Sequence, residues 1–136
     1  MAHKFRNLRV WQRSMSFVTE VYQLTQVFPK HELFGLTSQL RRAALSIPLN
    51  IAEGSGGNSS KEFARFLSIA LKSTYETMTA IELSQRLGYS QQIQCEPLLD
   101  EADQIAAMIT GLSKSIQNKH RTIYEAEAEY LTNSSQ

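Results

Sequence analysis

Residues 33–67 constrain the fold more than any other stretch of the chain. Leu36, Leu40, Ala43, Ala44, Ile47 and Ile51 recur at steps of three and four, the spacing of one helix face. Pro48 falls inside that run, where it removes a backbone donor and crowds the preceding turn at a cost of about 3 kcal/mol. The apolar pattern resumes in phase beyond it. The spacing therefore predicts one kinked helix, from about Leu33 or Leu36 to Glu53, with Ser46 placed to satisfy a freed carbonyl. Gly54 is expected to end that helix in the left-handed conformation. Ser59 with Glu62 then forms a capping box that starts the next helix.

The remaining segments follow the same period. Asn7 is positioned to cap a first helix with an apolar stripe of Leu8, Trp11, Met15, Val18, Tyr22 and Leu24, widened by Phe17, Val21 and Phe28, and Pro29 stops it. A third helix carries Phe63, Phe66, Leu67, Ala70, Leu71, Thr74, Met78, Ile81 and Leu87, and Gly88 closes it. Ser90 is expected to open a fourth, with Pro97 in its first turns. There Leu98, Ala102, Ile105, Ile109, Leu112 and Ile116 step by four, three, four, three and four, a bundle seam. No strand pattern or repeat occurs. The expected fold is all-α: an antiparallel up-down-up-down four-helix bundle over residues 1–118 with a proline-kinked second helix. Residues 119–136 read as a polar C-terminal extension, partly disordered, helical from Thr122 to Leu131 and fraying beyond.

Composition narrows the function classes. At 136 residues a single domain is expected, and no apolar run approaches the ~20 residues that span a bilayer. A cytoplasmic location without membrane contact is the expectation, since no signal-peptide core follows Met1. Cys95 is alone, so neither an internal disulfide nor an all-cysteine metal site can form. His3, His31 and His120 all lack the Glu three residues earlier that di-metal bundles use. There is no nucleophile elbow, Cys–His constellation or His-Glu-x-x-His sequence. No catalytic residue, metal or cofactor is expected, and the reading is non-enzymatic.

Charge is the informative property. The net is only +1, but residues 1–72 hold ten Lys/Arg against four Asp/Glu, and residues 73–136 hold four against nine. Such asymmetry points to a polyanion-binding face or to complementary faces that meet between subunits. Arg6, Arg9 and Arg13 fall at a helix start, where the macrodipole disfavours cations unless an anion is near. With Arg41, Arg42, Lys61, Arg65 and Lys72 they form the candidate phosphate contacts. The turn from Gly54 to Asn58 lacks the Gly-Lys-Ser/Thr ending of a P-loop. Arg42 and Glu53 lie eleven residues apart, about three turns on one face, and Glu76 lies where the third helix passes back. One of Arg41 and Arg42 is expected to pair with Glu53 or Glu76 and set register. The other is expected to face a neighbouring subunit or phosphate.

The run Phe34-Gly35-Leu36-Thr37-Ser38-Gln39-Leu40-Arg41-Arg42-Ala43-Ala44, then Ser46-Ile47-Pro48 and Asn50-Ile51-Ala52-Glu53-Gly54, closely resembles the signature of the 23S rRNA intervening-sequence proteins. Phe28-Pro29, Glu62-Phe63, Ser73-x-x-Glu76 and Leu87-Gly88-Tyr89 match as well, and the resemblance covers about residues 5–117. It implies a four-helix bundle that assembles as a homopentamer, with association to ribosomal RNA and no catalytic residues. Gly57 departs from the arginine common there. Two functions are therefore expected to compete. One is a homo-oligomer binding RNA or DNA without reading sequence, because arginines on phosphates position but do not specify. The alternative is a scaffold for a protein client, with Trp11, Phe34 and Tyr89 as anchors if exposed.

Overall fold

The computed structural model describes residues 4–118 and 123–134. Among these the regular elements are all helical: α1 (Arg9–Thr25), α2 (Leu36–Ser55), α3 (Ser60–Arg86), α4 (Gln92–Gln117) and α5 (Ile123–Ser134). Single 3-10 turns, Lys4–Asn7 and Lys30–Glu32, precede α1 and α2. Helix α1 packs on α2 and α4, α2 on α3, and α3 on α4, which closes a four-helix bundle; α5 lies against α4. Ser46 on α2 meets Ser73 on α3, and Gly54 meets Phe66, so those two helices run antiparallel.

The α4 seam is buried throughout, from Leu98 to Ile116. It meets Leu40, Ala44, Ile47 and Ile51 of α2 and Phe63, Leu67, Ala70 and Ile81 of α3 in one core. Each large side chain buried there contributes roughly 1.5–3 kcal/mol. The first helix buries the widened edge of its expected stripe, Phe17 and Val21 with Phe28 beyond its end, rather than its middle. Val10, Ser14, Phe17, Val21 and Leu24 face inward, whereas Met15 and Tyr22 are 44% and 36% exposed. A stripe drawn through Met15 and Tyr22 sits beside the true core face, and the broad apolar content of this helix masked the offset.

Helix α2 passes through Pro48 without a break. Ser46 does not serve the carbonyl that the proline frees. Its hydroxyl lies 2.8 Å from the Ser73 hydroxyl and accepts from Asn50 Nδ2 at 2.8 Å. Gly54 does not end the helix either. It is helical and buried, and an added Cβ would lie 2.7 Å from Phe66 Cβ, so glycine is there to let α2 and α3 approach. The left-handed glycine is Gly88, at φ 80°. Behind it the Gly88 N–H donates to the Gln85 carbonyl at 3.0 Å and the Tyr89 N–H to the Ser84 carbonyl at 2.9 Å, a Schellman closure of α3.

Caps decide where the other helices begin. Ser59 accepts from the Glu62 N–H at 3.0 Å, as expected, but the Glu62 carboxylate turns to Arg65 and leaves the box half-formed. Gln91, not Ser90, caps α4, through reciprocal bonds with Gln94. Ser90 is buried and is bonded to Ser84 at 2.6 Å and Cys95 at 3.0 Å. The 119–122 part of the expected extension lies outside the described residues, as do Ser135 and Gln136. Within α5, Ala126 is fully buried and Thr132 to Ser134 are helical.

Candidate nucleic-acid interface

The start of α1 shows what its arginines sit beside. Asn7 belongs to the preceding 3-10 turn, so Leu8 occupies the cap position and supplies no side-chain acceptor. A helix start leaves its first amides without partners. Here Glu127 from α5 fills that role: Oε1 accepts from the Arg9 N–H at 2.7 Å and Oε2 from the Val10 N–H at 3.4 Å. The Glu127 residue is only 6% exposed. One turn on, Arg13 grips Glu101 of α4 with Nε at 3.0 Å from Oε2 and Nη2 at 2.5 Å from Oε1. That hydrogen bonding raises the Arg13 pKa above its ordinary value against the opposing effect of burial. The anion expected at this helix start is thus supplied within the chain, by its acidic half.

The expected register pair is absent. No ion pair joins Arg41 or Arg42 to Glu53 or Glu76; among the described residues the ion pairs are Arg13–Glu101 and Arg65–Glu62. Arg41 turns toward α1, donating from Nε to Thr25 Oγ1 at 2.8 Å with its guanidinium 4.9 Å from the Tyr22 ring centre. Arg42 is exposed on the solvent side of α2, as is Glu53. The physical reason is rotation: the α2 face toward α3 carries Ser46, Asn50 and Gly54, so small residues and hydroxyls, not charges, meet there. Glu76 lines an outer groove of α3 with Lys72, Tyr75, Ala80 and Leu83.

Lys61 and Arg65 line a hollow between the start of α3 and Gln117 at the end of α4. Arg65 donates to Glu62 Oε1 from Nη2 at 2.6 Å and stacks 4.4 Å from the Phe66 ring centre. The pair holds the Glu62 carboxyl below the usual carboxylate range and raises Arg65. The eight candidate cations therefore do not form one cluster. Arg6 lies in the turn before α1 and Arg9 and Arg13 in its first turns, Lys61 and Arg65 at the start of α3, Arg41 and Arg42 on α2, and Lys72 mid-way along α3.

One polar constellation escaped the sequence reading. Glu32 Oε1 accepts from the Leu36 N–H at 2.9 Å and Oε2 from the Tyr89 hydroxyl at 2.8 Å. Glu32 thereby caps α2 and ties it to the α3–α4 turn. The Leu36 amide first, and Tyr89 second, hold its carboxyl below the usual range, and Glu32 in turn pushes the Tyr89 hydroxyl up. A Cβ at Gly35 would lie 2.5 Å from Glu32 Oε1, so a side chain there would push the carboxylate off the Leu36 amide. The available signal was a carboxylate a few residues ahead of a glycine at a helix start. Of the three aromatic anchors, Tyr89 is held in this corner and Trp11 packs edge-on to Phe5 at 5.0 Å. Phe34 alone projects, 94% exposed.

Among the described residues no group of three or more His, Cys, Asp or Glu side chains could hold a metal ion. No helix among the described residues is long and apolar enough to cross a membrane. The molecule is of the class of small helical bundles whose recurring sequence signatures build corners and helix contacts. More narrowly, a family model for the 23S rRNA-intervening sequence protein matches residues 6–111, and the chain belongs to that family. A solved structure of similar shape, with a TM-score of 0.70 and 27% identity, is a protein of unknown function from the S23 ribosomal protein family of Bacteroides thetaiotaomicron. The similarity covers 77% of this chain and 98% of that one. Among curated proteins none matches.

Proposed function

We propose that the protein is a non-enzymatic, homo-oligomeric bundle of the cytoplasm that binds RNA or another nucleic acid through its basic surface. The observation that carries this reading is that Arg6, Arg9, Arg42, Lys61 and Lys72 are exposed and make no ion pair within the described residues. They are left for phosphate. Their number per subunit is modest, and repetition in an assembly multiplies it, which raises avidity without new contacts. Met15 and Tyr22 on α1 with Leu45 and Leu49 on α2 leave apolar surface outside the core, which suits contact between copies. The pentameric number comes from the family resemblance alone.

Fluorescence anisotropy with a labelled single-stranded RNA tests this. Affinity falls steeply as salt rises from about 50 to 200 mM, and alanine at Arg42, Lys61 and Lys72 weakens binding and flattens the slope. A salt-independent affinity would contradict it. One observation favours a second reading, a scaffold for a protein client: Phe34 stands 94% exposed beside Leu33, on a corner braced by Glu32 and Tyr89. Under that reading Phe34→Ala abolishes capture of the client while RNA binding is unchanged.

A further inference from the structure

We propose that α5 is an acidic strap that occupies the anion-binding start of α1 and competes there with nucleic-acid phosphate. The inference rests on the nucleic-acid reading and supplies its regulation. The twelve residues of α5 include Glu125, Glu127 and Glu129 and no lysine or arginine. Glu127 is 6% exposed, and both its oxygens accept main-chain amides of α1. That is how a helix start holds a phosphate oxygen, with amide donors and the positive end of the dipole turned on one anion. Arg9 lies at that start and Arg6, over the Phe5 ring, in the turn before it. Both are exposed and without an ion pair among the described residues, so releasing Glu127 would uncover two amides beside two cations.

Four helices make up nearly all of the core, and α5 is added against α4, contributing Ala126 to that core, beyond the family match that ends at residue 111. The similar solved structure is matched over 98% of its length by only 77% of this chain. Docking also depends on a single glycine. A Cβ at Gly111 of α4 would overlap the Tyr130 ring of α5, so the strap has a seat that one methyl group fills.

Two full-length variants test the strap. Glu127→Gln keeps the shape and removes the charge; Gly111→Ala displaces Tyr130 while favouring the helix of α4. Each is compared with the unaltered chain for anisotropy of a labelled uridine 20-mer, and for hydrogen exchange at the Arg9 and Val10 amides. The expected result is faster exchange at both amides and RNA binding tightened about three- to tenfold in each variant. Faster exchange with unchanged or weaker RNA affinity overturns the competition and leaves the nucleic-acid reading standing. Exchange that stays slow in both variants overturns the strap itself. If neither the unaltered chain nor the variants bind RNA at about 50 mM salt, the nucleic-acid reading fails and the strap loses its competitor.

Discussion

The α2–α3 contact and the α1–α4–α5 side hold the same kind of element together by different means. Between α2 and α3, Gly54 allows close approach, and the polar contact is a hydroxyl pair, Ser46 with Ser73. On the other side, carboxylates from the acidic half reach α1: Glu101 to Arg13 and Glu127 to the first amides. The first contact is short-range and steric, so it tolerates little added volume. The second is electrostatic, with Glu127 buried and the Arg13–Glu101 pair partly open to water, so that pair responds to salt. A molecule built this way has one rigid seam and one adjustable side.

The largest expected effect lies on the steric side. Gly54→Val should destabilise the fold by about 3 kcal/mol, because the new side chain meets Phe66 before it meets solvent. Urea denaturation measures this, and a loss under 1 kcal/mol would show that the seam can yield after all. Next comes Glu127→Ala, which removes the only side-chain acceptor among the described residues at the start of α1 and should cost about 1–2 kcal/mol by the same method. Ser73→Ala should cost about 1 kcal/mol, since the Ser46 hydroxyl keeps its bond from Asn50. If Ser73→Ala outweighs Glu127→Ala, the assignment of rigidity to packing is wrong.

The smaller effects probe charge. Arg13 and Glu101 side chains are 42% and 27% exposed, so a double-mutant cycle should return a coupling no larger than about 1 kcal/mol, shrinking with added salt. Glu32 is a last test of pH. Its folded carboxyl lies below the ordinary range, so its stabilisation is present above the unfolded pKa and is lost as pH falls through the folded one. Glu32→Gln should therefore flatten the acid limb of the melting temperature between pH 5 and pH 2. An unchanged acid limb would place that sensitivity elsewhere, with Glu62 the other lowered carboxyl.

Much of the fold could be read along the chain. The α4 seam, the α2 core positions and the Ser59 cap are local patterns, and the Gly88 closure needs only a turn of helix to be recognised. The misread positions share another property. Glu127 and Arg9 are separated by 118 residues, Arg13 and Glu101 by 88, and Glu32 and Tyr89 by 57. The sequence reads Arg9 and Arg13 as phosphate contacts and Tyr89 as a client anchor, because a charge on a helix has several candidate partners and spacing cannot rank them. Gly54 was misread for a related cause. A glycine near a helix end serves equally as a stop or as a close-contact point, and the neighbouring helix decides which.

Helical periodicity, turn chemistry and the absence of any strand pattern determined by themselves that this chain is an all-helical bundle with its core on four amphipathic segments. Those signals are local, and a stripe of apolar side chains has one physical outlet, burial against another stripe. Tertiary structure alone decided which cations are bound by carboxylates and which remain exposed. It also decided that the acidic tail folds back on the basic head. Electrostatic partners are chosen by the rotation of each helix about its axis, and that rotation exists only once the helices have packed.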